Sequence, residues 1–133
     1  MLSLNGIRKI LDTGKPVVWT MHDAWPATAI CHYTHGCPKF KTTCHECPLL
    51  PGGGSKTDLS NKIWHRKQRV LHNRNIYYVT CSEWLGRQAR QSALLRGQEV
   101  VTIPNPIDTR MFCPKSQKEA RQRAGLITDK QLI

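Results

Sequence analysis

Residues Val17 to Cys47 read VVWTMHDAWPATAICHYTHGCPKFKTTCHEC, an apolar run that stops at His22 and Asp23 and is followed at once by four cysteines and three further histidines. The run is short, β-branched and apolar on both faces, which predicts a central parallel strand rather than a sheet edge. Open α/β sheets bind ligands outside the carboxyl ends of their strands. A buried strand that ends on ionisable side chains therefore makes His22 and Asp23 the first functional candidates.

Outward from this stretch the pattern alternates. Leu4, Ile7, Ile10 and Leu11 repeat at helical spacing before the turn formers Asp12 to Pro16. From Asp23 to Ser55 there is no period, and Gly and Pro are frequent, so a long functional loop is expected. Thr57 or Asp58 caps a helix to about Asn73, with Leu59, Ile63, Val70 and Leu71 on its apolar side and basic residues opposite. Ile76 to Thr80 reads as a second strand. Ser82 then caps a helix whose apolar side is Trp84, Leu85, Ala89 and Ala93, closed by Gly97. Glu99 to Ile103 reads as a third strand running into a Pro-rich turn. Ser116 with Glu119 forms a capping box ahead of a helix to Ala124, with Gly125 as its C-cap. Lys130 to Ile133 reads as the opening of one more strand. Strands alternating with helices predict an α/β fold with a Rossmann-like parallel sheet.

The chain has 133 residues and a formal charge of +11, with 39% hydrophobic residues and no apolar stretch long enough to span a bilayer. It also lacks the long apolar centre of a secretory signal, so a cytoplasmic location is expected. The positive charge invites nucleic acid, an anionic membrane surface or a phosphorylated substrate. Lys62, Arg66, Lys67, Arg69 and Arg74 carry much of it, and their plain reading is a solvated helix face.

Cys31, Cys37, Cys44 and Cys47 have the thiolate count of a closed tetrahedral zinc site, and Cys44 and Cys47 have the C-x2-C spacing of a metal knuckle. Such a zinc would be structural, contributing roughly 10–16 kcal/mol of apparent binding free energy by analogy with peptides. Disulfides and free thiols are the alternatives, and His32, His35 or His45 is an alternative fourth ligand. Cys81 and Cys113 read as packing thiols, and Trp25, Tyr33 and Phe40 as anchors of the loop.

Four pieces, KPVVWTMHDAWP, CHYTHGCPKFKTTCHECPLL, VTCSEWL and IPNPIDTRMFCP, resemble the nucleotide-sugar glycosyltransferases of family four. That resemblance implies part of a GT-B architecture of two facing Rossmann-like domains. Residues 1–103 would be the later half of the N-terminal acceptor-side domain, with the Cys-rich loop at 23–55. Residues 104–133 would be the interdomain crossing and first elements of the donor-side domain.

It also implies a retaining hexosyl transfer from a nucleotide-sugar donor to a glycan or lipid-linked acceptor in polysaccharide biosynthesis, with no catalytic metal, by an intact enzyme of which this chain is an inactive fragment. His22 matches the family's histidine that contacts the transferred sugar. Asp23 would fix the His22 tautomer or bind an acceptor hydroxyl, while Ser82 and Asn105 would touch ligand at the cleft. For Ser82 the competing role is the helix cap, and for Asn105 an ordinary turn. The basic helices would rest peripherally on an anionic inner membrane face. The rival expectation is a non-enzymatic zinc module that contacts nucleic acid through those helices. Aromatic residues are only 7% and are not interleaved with the basic ones, so nucleic acid is the weaker partner.

Overall fold

A computed structural model describes residues 2–126; the expected strand opening at 130–133 lies outside them. Four α-helices and three strands alternate: α1 (Leu4–Leu11), β1 (Val17–Met21), α2 (Leu59–Leu71), β2 (Ile76–Thr80), α3 (Glu83–Gln91), β3 (Glu99–Thr102) and α4 (Gln117–Arg123). The sheet order is β1-β2-β3 and both pairings are parallel. The fold is α/β, a three-stranded parallel sheet flanked by helices, as a partial Rossmann-like fold requires.

Local chemistry sets the element boundaries. The Ser3 hydroxyl accepts from the Gly6 N–H at the start of α1. Asp58 caps α2 by accepting from Asn61, and Ser82 caps α3 by accepting from Leu85. Asn73 reverses the chain after α2 at φ 54°, a left-handed conformation that Asn tolerates. The Ser116 hydroxyl makes no capping bond to α4, so the expected capping box does not form. Nor does α3 run to Gly97: it ends at Gln91, and a separate 3₁₀ turn, Ala93–Leu95, follows.

One apolar core lies under one face of the sheet. Met21, Ile76 and Tyr78 reach it from β1 and β2, joined by Trp64, Val70 and Leu71 from α2 and Leu85 and Ala89 from α3. Tyr78 stacks on Trp19 at 5.9 Å, and its hydroxyl is buried with no hydrogen-bond partner among the described residues. α3 meets the sheet at Gly86, where a Cβ would stand 2.4 Å from the Thr102 hydroxyl. Any larger residue there would push the helix off β3.

Three expectations are corrected. Among the described residues β1 is not central: it pairs only with β2, its burial alternates along the strand, and Val18 is 67% exposed. Its two-sided apolar character finds cover on one face only among the described residues. The buried face of α2 runs through Ser60, Trp64, Lys67, Val70 and Leu71, and Leu59 is exposed. Cys113, expected to pack, is exposed. Beyond β3, Ile103, Ile107, Met111 and Phe112 are all exposed.

Candidate functional site

Because the strands are parallel and Met21, Thr80 and Thr102 align across the sheet, the residues that leave each strand share one edge. His22 and Asp23 leave β1, Ser82 follows β2, and Asn105 follows β3. The topology thus gathers the four sequence-predicted substrate contacts along the carboxyl edge. Of these, His22 and Asn105 are exposed, and Asp23 and Ser82 are half-buried.

His22 and Asp23 stand at one end of an open groove of ≈ 450 Å³ that is lined along its length by β1 and by Ile7, Ile10 and Leu11 of α1. The Asp23 carboxylate is engaged within its own loop. One carboxylate oxygen accepts the Trp25 N–H at 2.8 Å and the other pairs with Nδ1 of His32 at 2.8 Å. Asp23 therefore fixes the ring of His32, not that of His22. Burial alone would raise the Asp23 pKa, but the His32 hydrogen bond, the Trp25 N–H and the charges of His32 and Lys67 outweigh it and hold the carboxyl below its ordinary value. Ser82 carries the α3 cap, its oxygen 3.3 Å from the Leu85 nitrogen.

Lys67 was expected on a solvated face. Instead its side chain is fully buried, and its ammonium donates to the carbonyls of Trp25 and of Thr28, the latter at 2.9 Å, while lying 3.4 Å from the centre of the Trp25 ring. Burial drives its pKa down to about 7, opposed by the nearby Cys44, Asp23 and Cys31 side chains. The clue in the sequence is register: Ser60, Trp64, Lys67 and Leu71 follow at helical spacing on one face. Arg66 bonds Asn5, Arg69 donates to the His65 carbonyl and Arg74 pairs with Asp12, so with Lys67 four of the five basic residues expected to form a solvated face are buried or engaged.

The loop between β1 and α2 holds three 3₁₀ turns, Trp25–Ala27, Lys39–Lys41 and Pro51–Gly53. Of its aromatic residues Phe40 is buried, whereas Tyr33 is exposed and tilted against Trp84 at 5.8 Å. Cys31, Cys37, Cys44 and Cys47 all lie within it, and the Cys31 and Cys44 thiols feel their cysteine neighbours electrostatically. Burial pushes the Cys44 thiol up to about 11, reinforced by its three thiol neighbours and opposed by a main-chain bond at Ala29. Burial likewise raises Cys31. All six cysteines are free thiols. Among the described residues, no three His, Cys, Asp or Glu side chains stand at metal-coordination spacing.

Asp58 anchors the end of this loop. Its carboxylate takes N–H bonds from Cys47 at 2.8 Å and Asn61 at 2.9 Å, and the Ser60 hydroxyl at 2.7 Å. Burial works against the charge, but these donors, with the Ser55 N–H, hold the carboxyl well below the usual carboxylate range. Gly54, at φ +71°, lets the chain pass: a Cβ there would lie 2.3 Å from Asp58 and 2.5 Å from the Cys47 nitrogen.

Among the described residues no helix is long and apolar enough to cross a membrane. Comparison with protein families finds no matching family profile, and no solved structure matches. A 34-residue segment is 50% identical to a protein of Escherichia coli strain K12 described as "Putative colanic acid biosynthesis glycosyl transferase WcaC". The match takes in 26% of this chain and 8% of that relative's length. The sequence relationship is thus to a glycosyl transferase, and it is carried by that segment.

Proposed function

We propose that the chain is a section of a retaining glycosyltransferase of family four. In this reading residues 1–103 belong to the acceptor-side Rossmann-like domain and residues 104–133 cross toward the donor-side domain of a GT-B enzyme. The intact enzyme moves a hexosyl group from a nucleotide-sugar to a glycan or lipid-linked acceptor in polysaccharide assembly, and the section alone is inactive. The observation that carries the reading is the shared carboxyl edge, where exposed His22 leaves the end of a parallel strand. The 34-residue likeness to a glycosyl transferase supports it independently.

Retaining transfer builds positive charge on the sugar and negative charge on the departing phosphate, so positioned polar groups do most of the work. His22 is the group assigned to the transferred sugar. Asp23, whose oxygens retain lone pairs beyond the Trp25 and His32 bonds, is assigned to an acceptor hydroxyl, and Ser82 and Asn105 border the same cleft. No catalytic metal enters this scheme. The basic helices are assigned to peripheral contact with an anionic membrane face on the cytoplasmic side.

The test begins with the coding sequence on either side. In-frame continuation into a glycine-rich loop upstream and a nucleotide-binding domain downstream is expected, and stop signals tightly flanking both ends would overturn the proposal. In the continuous enzyme, His22→Ala should abolish sugar transfer while nucleotide-sugar binding by the donor-side domain persists.

A further inference from the structure

Three consecutive residues of the loop between β1 and α2 are each tied to the carboxyl edge. Nδ1 of His32 meets the Asp23 carboxylate at 2.8 Å, the Tyr33 ring lies against Trp84 at 5.8 Å, and the Thr34 hydroxyl donates to the Gln88 side-chain oxygen at 3.5 Å. Their main chain is held as well. The His32 carbonyl accepts the Ala24 N–H at 2.8 Å, and the Thr34 carbonyl accepts the Cys37 N–H at 2.8 Å. Asp23 leaves β1, whereas Trp84 stands in the first turn of α3, just after β2. The triplet therefore bridges the ends of two neighbouring parallel strands, where open α/β sheets take their ligands.

The bridge shows more to solvent than a loop anchor needs to. Thr34 is buried, but Tyr33 is 56% exposed, Trp84 39% and the His32 side chain 51%. Exposed aromatic residues scattered singly are ordinary. Two in contact, on a pinned segment at a binding edge, make an apolar surface that folding leaves uncovered. A directed polar atom accompanies it. A carboxylate only accepts hydrogen bonds, so Nδ1 of His32 carries the proton facing Asp23, and Nε2 of the neutral ring is left as an acceptor.

We propose that His32, Tyr33 and Trp84 form a subsite for one pyranose ring of the acceptor glycan. A pyranose carries a face of C–H bonds and a rim of hydroxyl groups. The C–H face lies on the aromatic pair, and one hydroxyl donates to Nε2 of His32. The two rings are tilted by 33° and lie against each other, so no slot is open between them for a flat base. The side chains that hold the triplet, those of Asp23, Trp84 and Gln88, include no cation to meet a phosphate. Both features favour an uncharged sugar over the donor's nucleotide. No bond is made or broken at this subsite; it positions the acceptor. That last word rests on the proposed sugar transfer, whereas the binding of a sugar ring does not.

The test titrates the whole chain with the methyl pyranosides of glucose, galactose and mannose, followed by magnetisation transfer from protein to sugar protons. Saturable binding of at least one is expected, with transfer strongest to the C–H protons of one ring face. Tyr33→Ala and Trp84→Ala should each weaken it by on the order of 10-fold or more, while Tyr33→Phe and Trp84→Phe keep most of it. Both aromatic side chains are exposed, so thermal midpoints of these variants should stay near wild type. His32→Gln, whose amide reaches the Nε2 position, should retain more affinity than His32→Ala. Saturable binding of none of the three sugars overturns the subsite, as does affinity unchanged in both alanine variants. Either result leaves sugar transfer by the continuous enzyme standing, because that is tested through His22 and the flanking coding sequence. Sugar binding by a chain whose flanks encode no transferase would keep the subsite and overturn its assignment to an acceptor.

Discussion

The ammonium of Lys67 lies 3.4 Å from the centre of the Trp25 ring and also donates to the Trp25 carbonyl, so one side chain from mid-α2 holds the turn just after His22 and Asp23. A cation over an indole face, with main-chain acceptors on its other side, is a satisfied buried charge. Replacing it by Met removes the desolvated charge, which favours folding, but orphans the Thr28 carbonyl, at about 1–3 kcal/mol, and leaves the Trp25 carbonyl with only the Thr28 N–H. The orphaned carbonyl should win. Lys67→Met should lose about 2 kcal/mol in urea unfolding of this chain, and an unchanged or raised midpoint would show that water replaces the ammonium.

Gly54 and Gly52 both adopt left-handed φ, at +71° and +69°, but a Cβ at Gly52 would meet nothing within 4 Å. Alanine at either site carries the conformational penalty, about 1 kcal/mol. At Gly54 it also collides with Asp58 and the Cys47 nitrogen, prising the α2 cap from the loop. Gly54→Ala should therefore destabilise more than Gly52→Ala, with raised amide exchange at Cys47 and Asn61. Equal thermal midpoints for the two variants would mean that Asp58 does not hold this junction.

Much of this is legible in the sequence, and the reasons differ by residue. Ile76 to Thr80 is bounded by Asn75 and Ser82 and emerges with its expected limits, since turn formers and strand formers agree there. β1 misled because an apolar strand reads as central whether or not the described chain supplies a neighbour on each side. Lys67 misled for another reason. Charge reads as a sign of solvent, although the helical register of Trp64, Lys67 and Leu71 puts it on the buried face. The Asp23–His32 pair was illegible, because a nine-residue separation across an irregular loop has no periodic signature. The placement of the carboxyl-edge candidates is legible because a parallel α/β sheet fixes where strand-leaving residues go.

Tyr78 offers a test of the core. Its hydroxyl is buried without a partner among the described residues, and burial pushes its pKa upward. A phenol that gains no bond on folding still gives up its water. Tyr78→Phe keeps the ring against Trp19 and should stabilise by about 1 kcal/mol, read as a higher thermal midpoint. A loss of that size would reveal a hydrogen bond made through an ordered water.

The Asp23 carboxyl titrates below its ordinary value of 3.8, with His32 and Lys67 the charged groups facing it. A carboxyl whose folded pKa is depressed adds stability that is fully present above the unfolded value and disappears as pH falls through the folded one. Wild type should therefore exceed Asp23→Asn in thermal midpoint near pH 5, where the carboxylate and Lys67 are both charged, and the margin should shrink at and below pH 3.8. A margin flat into strong acid would mean that the Asp23–His32 contact carries no net charge interaction in solution.

His22 separates a working group from a structural one. Its side chain is exposed at the carboxyl end of β1 and makes none of the buried contacts that hold Asp23, Trp25 or Lys67 in place. Substitutions of exposed side chains outside caps, networks and cores fall within about 0.5 kcal/mol of neutral. His22→Ala should therefore leave the unfolding free energy of this chain unchanged within that limit. In the continuous enzyme the same change should lower kcat by on the order of 100-fold or more with little effect on donor KM, as expected when a group acts mainly on charge that develops in the transition state. Were the variant to unfold, or to transfer sugar at the wild-type rate, His22 would be a structural residue or a bystander, and the substrate edge would have to be sought at Ser82 and Asn105.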